Sequence, residues 1–431
     1  MGLNFAHGVV QWLTTDALNA TKSVTGLEFT PKALRFYWNG LQSNSPTNAT
    51  SNNTVSQRRG IGFAVSPTSR RSVGTSSLNN AATSDLGSVA ADNSIAITVS
   101  AAGVVDGRLD LNTIDTDGFT LIVDDVTPAN ISVFWEAWGG TDITVAVVGD
   151  APEPAAVGTQ NYTVTGFESN GLEQCVMFAG VQSTAALNTG AQNDSGLHVG
   201  FATSTSSTNN ITVCGNSDDA SATTDTDGYC FQGDCISMII VGGGTAVNSR
   251  ANLSAWGTDL FTLNWTNRAT SNRRNIFMAI KGGNWRAGSY TIEGNTLNST
   301  ATISELPFNL EGISLIGRMT AQSTAGTATT QDRMSIGSGK STTSRNSVGG
   351  LDLDAQATAE IVTMVISYDS LLSFPSTTGT VQAIYDINSL SANQFQIIVD
   401  TAGGVASEFH GYLAFGSKKI GTTSVGHPFI I

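Results

Sequence analysis

Two identical tetrapeptides, Asp115-Thr-Asp-Gly118 and Asp225-Thr-Asp-Gly228, hold paired carboxylates beside a glycine turn. Both lie in the frame Thr-x-Asp-x-Asp-Gly-x5-Asp, from Thr113 to Asp124 and from Thr223 to Asp234. A helix-flanked calcium loop uses similar oxygen spacing, but wants Asp first and a bidentate Glu twelfth. The first copy here runs directly into an apolar strand, so Asp-Gly turns explain both. Asp115, Asp117, Asp225 and Asp227 stay as the metal candidates, and no cofactor is expected. Four cysteines, Cys175, Cys214, Cys230 and Cys235, fall in one stretch. They allow three pairings. Cys230 and Cys235 could close a short loop, leaving Cys175 with Cys214; buried structural thiols are the equal alternative. No CxxC pair supplies the usual zinc spacing.

The remaining reactive residue types form no catalytic constellation. Gly337-Ser-Gly-Lys-Ser341 mimics the end of a phosphate-binding loop, but the first glycine of that pattern is replaced by Met334. His7, His198, His410 and His427 form no HExxH pair, and no GxSxG elbow frames a serine. Glu136, between two tryptophans, resembles a glycosidase carboxylate only if a second carboxylate faces it. Trp135, Trp138, Trp256, Trp265 and Trp285 fall in strand-like runs, where core packing explains them before sugar stacking does. The expectation is a protein that is not an enzyme.

Composition explains what must position these residues. Only 13% of the 431 residues are charged, against about 25% in ordinary domains. Gly is abundant at 46, and Ser, Thr and Asn supply most of the polarity. Long helices need Glu, Lys and Arg, so an all-β chain is expected. The net charge of −14 repels a phosphate backbone and argues against nucleic acid. No run of 18 apolar residues is present, so no membrane span is expected. The first residues lack the basic and long apolar regions of an export signal. The arginine pairs Arg58–Arg59, Arg70–Arg71 and Arg273–Arg274 read as solvated loop ends or ion pairs.

The chain repeats itself three times. A turn and apolar strand recur at Val24–Gly40, Val164–Gly180 and Ile303–Gly317. A second block recurs at Ile61–Val73, Val199–Ile211 and Ile336–Val348. The third covers Gly118–Gly139, Leu260–Gly282 and Gln394–Gly416, and reads as a hairpin with one face in a core. Alternation at period two, as in Leu34, Phe36 and Trp38, marks the strands. Units of this size match an antiparallel sandwich. The expected architecture is all-β, with three tandem antiparallel, jelly-roll-like β-sandwich domains. An N-terminal arm covers 1–18 and the first sandwich 19–148. A Pro-containing linker, 149–158, precedes the second sandwich at 159–283, which holds all the cysteines. A second linker spans 284–296, the third sandwich 297–417, and a C-terminal tail 418–431. Each unit is large enough to fold alone, and three in a row suggest an elongated rod.

Ser23-Val-Thr-Gly-Leu-Glu-Phe-Thr-Pro-Lys-Ala-Leu-Arg-Phe36, followed by Ile61-Gly-Phe-Ala64, resembles a pattern in structural proteins of tailed bacteriophages. Gly26, Phe29, Pro31, Lys32, Gly62 and Phe63 carry the resemblance. It implies a non-enzymatic virion component, assembled in the host cytoplasm and released by lysis. A tail-associated fibre or adaptor is the first expectation. A head-decorating capsid accessory protein and a carbohydrate-binding adhesin are the alternatives. The implied partners are other virion proteins, further copies of the chain in a homo-oligomer, and a host surface glycan.

Overall fold

The alternating runs become strands, and the strands repeat in threes. The computed structural model describes residues 2–418 apart from 44–47, 53–55, 79–82, 171–172, 193, 240–244, 270–272, 293–295, 357–361 and 404–407. His427 and the apolar end Pro428–Ile431 lie outside the described residues, as does all of the expected tail after Lys418. The first unit comprises β1 (Leu3–Trp12), β2 (Thr21–Val24), β3 (Pro31–Trp38), β4 (Ala49–Asn52), β5 (Gln57–Ser66), β6 (Ser69–Ser77), β7 (Leu86–Ala91), β8 (Ala96–Val99), β9 (Val105–Asp115), β10 (Gly118–Asp125) and β11 (Ile131–Gly140). The second comprises β12 (Val145–Asp150), β13 (Gly158–Thr163), β14 (Gln174–Val181), β15 (Ala191–Gln192), β16 (Ser195–Ala202), β17 (Asn210–Ser217), β18 (Thr226–Gln232), β19 (Ile236–Ile239), β20 (Val247–Gly257), β21 (Leu260–Asn267) and β22 (Arg274–Lys281). The third comprises β23 (Asn284–Ile292), β24 (Thr300–Ile303), β25 (Phe308–Arg318), β26 (Thr329–Thr330), β27 (Asp332–Ser341), β28 (Ser344–Asp352), β29 (Val362–Ser367), β30 (Leu372–Pro375), β31 (Val381–Ser391), β32 (Gln394–Thr401) and β33 (Glu408–Lys418). Among the described residues the only helix is the single 3-10 turn Ser207–Asn209.

Each unit is a sandwich of a large and a small antiparallel sheet, as its composition implies. The large sheets run β1-β11-β3-β5-β6-β7, β12-β22-β14-β16-β17-β18 and β23-β33-β25-β27-β28-β29. The small sheets run β2-β10-β9-β8, β13-β21-β20-β19 and β24-β32-β31-β30. In the first unit β11 lies between β1 and β3 while β10 pairs with β2 in the other sheet, which is jelly-roll interleaving. The other strands form meanders.

Each large sheet is completed by a strand from another unit. β15 pairs with β7, β26 with β18, and β4 with β29. These three are the fourth strands of their units, carried on the connection between the third and fifth. Unit one gives to three, three to two, and two to one. The exchange closes, as in a cyclic trimer whose subunits are joined into one polypeptide. A ring replaces the elongated rod, because a rod requires contacts that do not return to their start.

Burial follows from this closure. Each sandwich has a core of its own: Trp12, Leu34, Phe36 and Phe119 in unit one, Phe178, Phe261 and Trp265 in unit two, and Leu315, Phe374 and Phe395 in unit three. A further core is shared by all three. Ile61, Val199 and Ile336 enter it from equivalent strands, and Val73, Val213 and Val348 do the same. The large sheets are therefore covered on both faces, which explains the unbroken burial of Leu34–Trp38. The small sheets are covered on one face. β10 accordingly alternates, with Phe119, Leu121 and Val123 inward and Asp124 exposed.

Three local expectations change. The N-terminal arm contains β1, an edge strand paired along its length with β11. The stretch 284–296, expected as a linker, contains β23, paired with β33, while 149–158 includes the ends of β12 and β13. These first strands close onto the last strand of their own unit, over 100 residues away in the first, a pairing that local patterning does not reveal. Chain passage between units instead occupies 141–144 and 282–283. Gly282 turns there with φ +95, and a Cβ would meet the Asp142 carbonyl oxygen at 1.8 Å. Third, β10 and β11 are not a hairpin. They lie in different sheets, and the connection around Pro128 crosses the sandwich.

Because the units share one core and exchange strands, they should unfold together. Calorimetry of the intact chain should show a single endotherm whose calorimetric and van't Hoff enthalpies agree. Resolved transitions would mean that the sandwiches are energetically separate.

Candidate functional site at the junction of the three units

Several of the charged side chains singled out in the sequence, Glu136, Arg59 and Arg71 among them, sit where units join. Arg35 on β3 and Glu136 on β11 are neighbours across the ladder. They form a two-pronged ion pair, Nη2–Oε1 at 2.8 Å and Nε–Oε2 at 2.5 Å, and are 1% and 0% exposed. Ser314 of unit three donates to Glu136 Oε1 at 2.6 Å, and the Arg35 guanidinium lies 5.5 Å from the Phe201 ring of unit two. One ion pair thus touches all three units. Burial pushes the Glu136 carboxyl upward, and Arg35 opposes that push. Having no access to solvent, Glu136 cannot receive a glycosidic oxygen.

The network continues between units one and three. The Tyr37 hydroxyl lies 2.5 Å from Asn346 Oδ1 and 3.1 Å from the Ser338 hydroxyl. Asn346 also contacts His7 Nδ1 at 3.0 Å, and His7 Nε2 contacts the Ser344 hydroxyl at 3.0 Å. Burial lowers the His7 pKa to about 4, so it is neutral at pH 7. Asn39 Nδ2 donates to the carbonyls of Gly349 at 2.9 Å and Val365 at 2.8 Å. Arg59 pairs with Asp332 of unit three, both buried. Between units one and two, Arg71 grips Asp150 through two bonds of 2.9 Å. The arginine pairs are thus ion-paired in part, and two of their members bind units to one another.

His198 is buried against Asn275 at 2.8 Å, and burial lowers its pKa to about 4. His410 is buried beside Tyr290 and the Tyr385 ring. All seven tryptophans are less than 10% exposed, so none offers a ring face for a sugar. Gly337–Ser341 lies in the β27 strand and its hairpin turn, with no helix following to bind phosphate.

The metal candidates separate. Asp115 and Asp117 occupy the β9–β10 hairpin, where Asp117 Oδ2 accepts from the Gly26 amide at 3.2 Å and Asp115 accepts from Thr120 at 3.0 Å. Asp225 and Asp227 sit instead at β18, beside the donated strand β26. Burial first, then Asp225, Asp354 and Asp218, raise Asp227 to about 7. Burial and the neighbouring Asp218 and Asp219 raise Asp194 to about 6. Among the described residues no group of three or more His, Cys, Asp or Glu side chains is placed to hold a metal ion.

The cysteine pairings are corrected: all four thiols are free and buried. Cys175 and Cys230 face the shared core, Cys235 faces the second sandwich, and Cys214 packs in a separate small cluster. The short Cys230–Cys235 loop therefore ends on two different faces. Burial raises the Cys214 thiol to about 12 and those of Cys175 and Cys235 well above their ordinary value.

Two open grooves recur at equivalent interfaces. One, of about 610 Å³, lies between units one and three and includes His7, Glu28, Glu311 and Lys340. Its counterpart, of about 330 Å³, lies between units three and two and includes Asn284, Phe308, Glu173 and Ser204. No described helix is long and apolar enough to cross a membrane. Compared with known proteins, the sequence matches no family model and none of the curated proteins.

Sequence reasoning missed Arg35 and Asp332 as structural residues and weighed Glu136 only as a catalytic one. The available signal was a lone charge inside an apolar strand: Arg35 between Leu34 and Phe36, and Glu136 between Trp135 and Ala137.

Three outcomes are expected. Glu136→Met strands a buried guanidinium and costs about 3–5 kcal/mol in urea unfolding, whereas Arg35→Met with Glu136→Met recovers most of that loss. The double variant copies unit two, where Met177 and Met278 occupy the same ladder positions. Asp227→Asn should raise Tm by a few degrees at pH 8 and leave it unchanged at pH 4. The native carboxyl titrates near 7 against about 3.9 unfolded, so its burial is tolerated below the unfolded value and stability falls as pH rises through 7. An aromatic disulfide reagent without reductant should find no reactive thiol in the native chain and four after denaturation.

Proposed function

We propose that the chain is a non-enzymatic structural component of a phage virion, acting as an adaptor between other virion proteins. The observation that carries this reading is the closed exchange of β4, β15 and β26. Three like sandwiches are fixed into one body by shared strands, a common core and a buried ion pair between units one and three. Charged residues that elsewhere serve chemistry are spent here on cohesion. The bacteriophage-like pattern at 23–36 and 61–64 supports the same reading.

A head-decorating role is the second reading, and the ring favours it over an outward-reaching fibre. A compact body with three like faces suits a seat where several capsid subunits meet. The adhesin reading loses its main support, since no tryptophan is available for stacking.

Quantitative mass spectrometry of purified particles from the source should find the chain at a fixed stoichiometry to the major capsid protein. Its absence from particles that carry all other structural proteins would overturn the proposal. Labelled chain should then map by electron microscopy to the tail for the adaptor reading, or to the capsid surface for decoration.

A further inference from the structure

The strand register brings one position of each unit to a single cavity. Ile61, Val199 and Ile336 pair with Val73, Val213 and Val348 across equivalent ladders. Two residues before them stand Arg59, Leu197 and Met334, opposite Thr75, Gly215 and Gly350. Arg59, Leu197 and Met334 all line one cavity of about 20 Å³, together with Gln57 and Gly350. Three equivalent residues that meet in one place surround the ring's pseudo-threefold axis, so the cavity is axial. Its lining side chains are all buried. A volume of this size holds one particle about as large as a water molecule.

At this position units two and three present hydrocarbon, whereas unit one presents a cation. Arg59 is 4% exposed and Gln57 1%. Arg59 gives Nη2 to Asp332 of unit three, but its Nε and Nη1 have no partner. Burial opposes the guanidinium charge, and the nearby Asp332 and Asp352 outweigh it, so Arg59 stays protonated. Gln57 reaches into unit three, where its Nε2 lies over Gly350 in the space a Cβ would fill; that nitrogen also lacks a partner. Asp332, which holds the place of Gln57 in unit three, lies over Gly215 of unit two in the same way. The reach of Gln57 is thus a feature of the repeat. Asn39, another polar lining residue, spends its amide on the Gly349 and Val365 carbonyls. Every side-chain polar atom of the lining that lacks a partner is a donor.

Buried donors without acceptors are costly, and an ion or a water normally relieves them. A water molecule would accept from these groups but would bring two protons of its own, with no unpartnered side-chain acceptor to receive them. A halide ion accepts several N–H groups and brings none, and bonds to an ionised partner are the stronger kind.

We infer that the axial cavity is a site for one small monovalent anion, a halide such as chloride, bound by the Gln57 amide and a free N–H of the Arg59 guanidinium where the three units meet. The inference goes beyond the structural-component reading and does not depend on it. It makes the cohesion of the ring respond to halide concentration.

The test melts the intact chain while chloride replaces gluconate at constant ionic strength. An ion bound by the folded chain alone raises Tm, and wild type should gain a few degrees. Gln57→Leu removes one donor. Arg59→Leu with Asp332→Ser copies the residues of unit two, Leu197 and Ser195, and strands no charge. Both variants should lose most of the chloride response. Crystals of the wild type containing bromide should give an anomalous peak in the cavity, within hydrogen-bond distance of Gln57 Nε2. The inference is overturned if the wild-type Tm is indifferent to chloride, if both variants respond as wild type does, or if the cavity holds a water in place of bromide. A bromide peak without any chloride effect on Tm would mark an adventitious ion only and overturns it too. Should a variant fail to fold, the wild-type melts and the bromide peak decide the matter.

Discussion

A β-sheet buried on both faces needs two covers. In each unit the small sheet covers one face of the large sheet, and the other two large sheets cover its second face. That second contact is the constraint on which the rest depends. It demands apolar residues on both sides of strands such as β3, β16 and β27. It also brings the open sheet edges together, where unpaired backbone groups must find partners. The donated strands β4, β15 and β26 satisfy one edge of each large sheet, and the neighbouring unit flanks the other. In this ring each unit gives one strand and receives one, which adds a short terminal strand to each large sheet.

Joining three copies in one chain removes the requirement that they be identical. A homotrimer with Arg35 and Glu136 at the axis would repeat both charges three times in a small dry volume, each ion carrying its own desolvation penalty. Here one unit supplies the ion pair, another methionines, and the third a hydroxyl that completes the carboxylate's bonding. The same freedom lets Asn346 and His7 fill a polar seam between units one and three that the other interfaces need not copy. Buried polar groups of this kind favour one arrangement of units over others, because a rotated assembly would leave them unpaired.

Much of the repeat was legible because its signals are local. Turn glycines, the Gly62, Gly200 and Gly337 positions and the Phe119, Phe261 and Phe395 strand starts depend on chain geometry and one-sided burial. The first strands were not legible. β1, β12 and β23 share little sequence, and each pairs only with the far end of its unit. Register was also out of reach. Counting back from the closing glycines sets Met278 beside Trp135, whereas the ladders place Phe277 there, opposite Phe178 as Trp135 is opposite Phe36. A shift of one residue exchanges the two faces of a strand, and both faces are apolar here, so pattern alone does not choose between them. For the candidate site, Glu136 was visible as an odd charge, but its partner and purpose were not.

The amino-acid order alone determined that the chain is all-β, that it is written three times, and that it lacks the spacing of a familiar reaction centre. These follow from period-two alternation and composition, which act over a few residues. Only the tertiary structure decided that the copies form a ring, that their fourth strands change owner, and that the cysteines stay apart on separate faces. Those outcomes depend on which surfaces meet across more than 100 residues, where the physical preference is for covering apolar area and pairing buried polar groups, and the local sequence marks such residues without naming the segments they will meet.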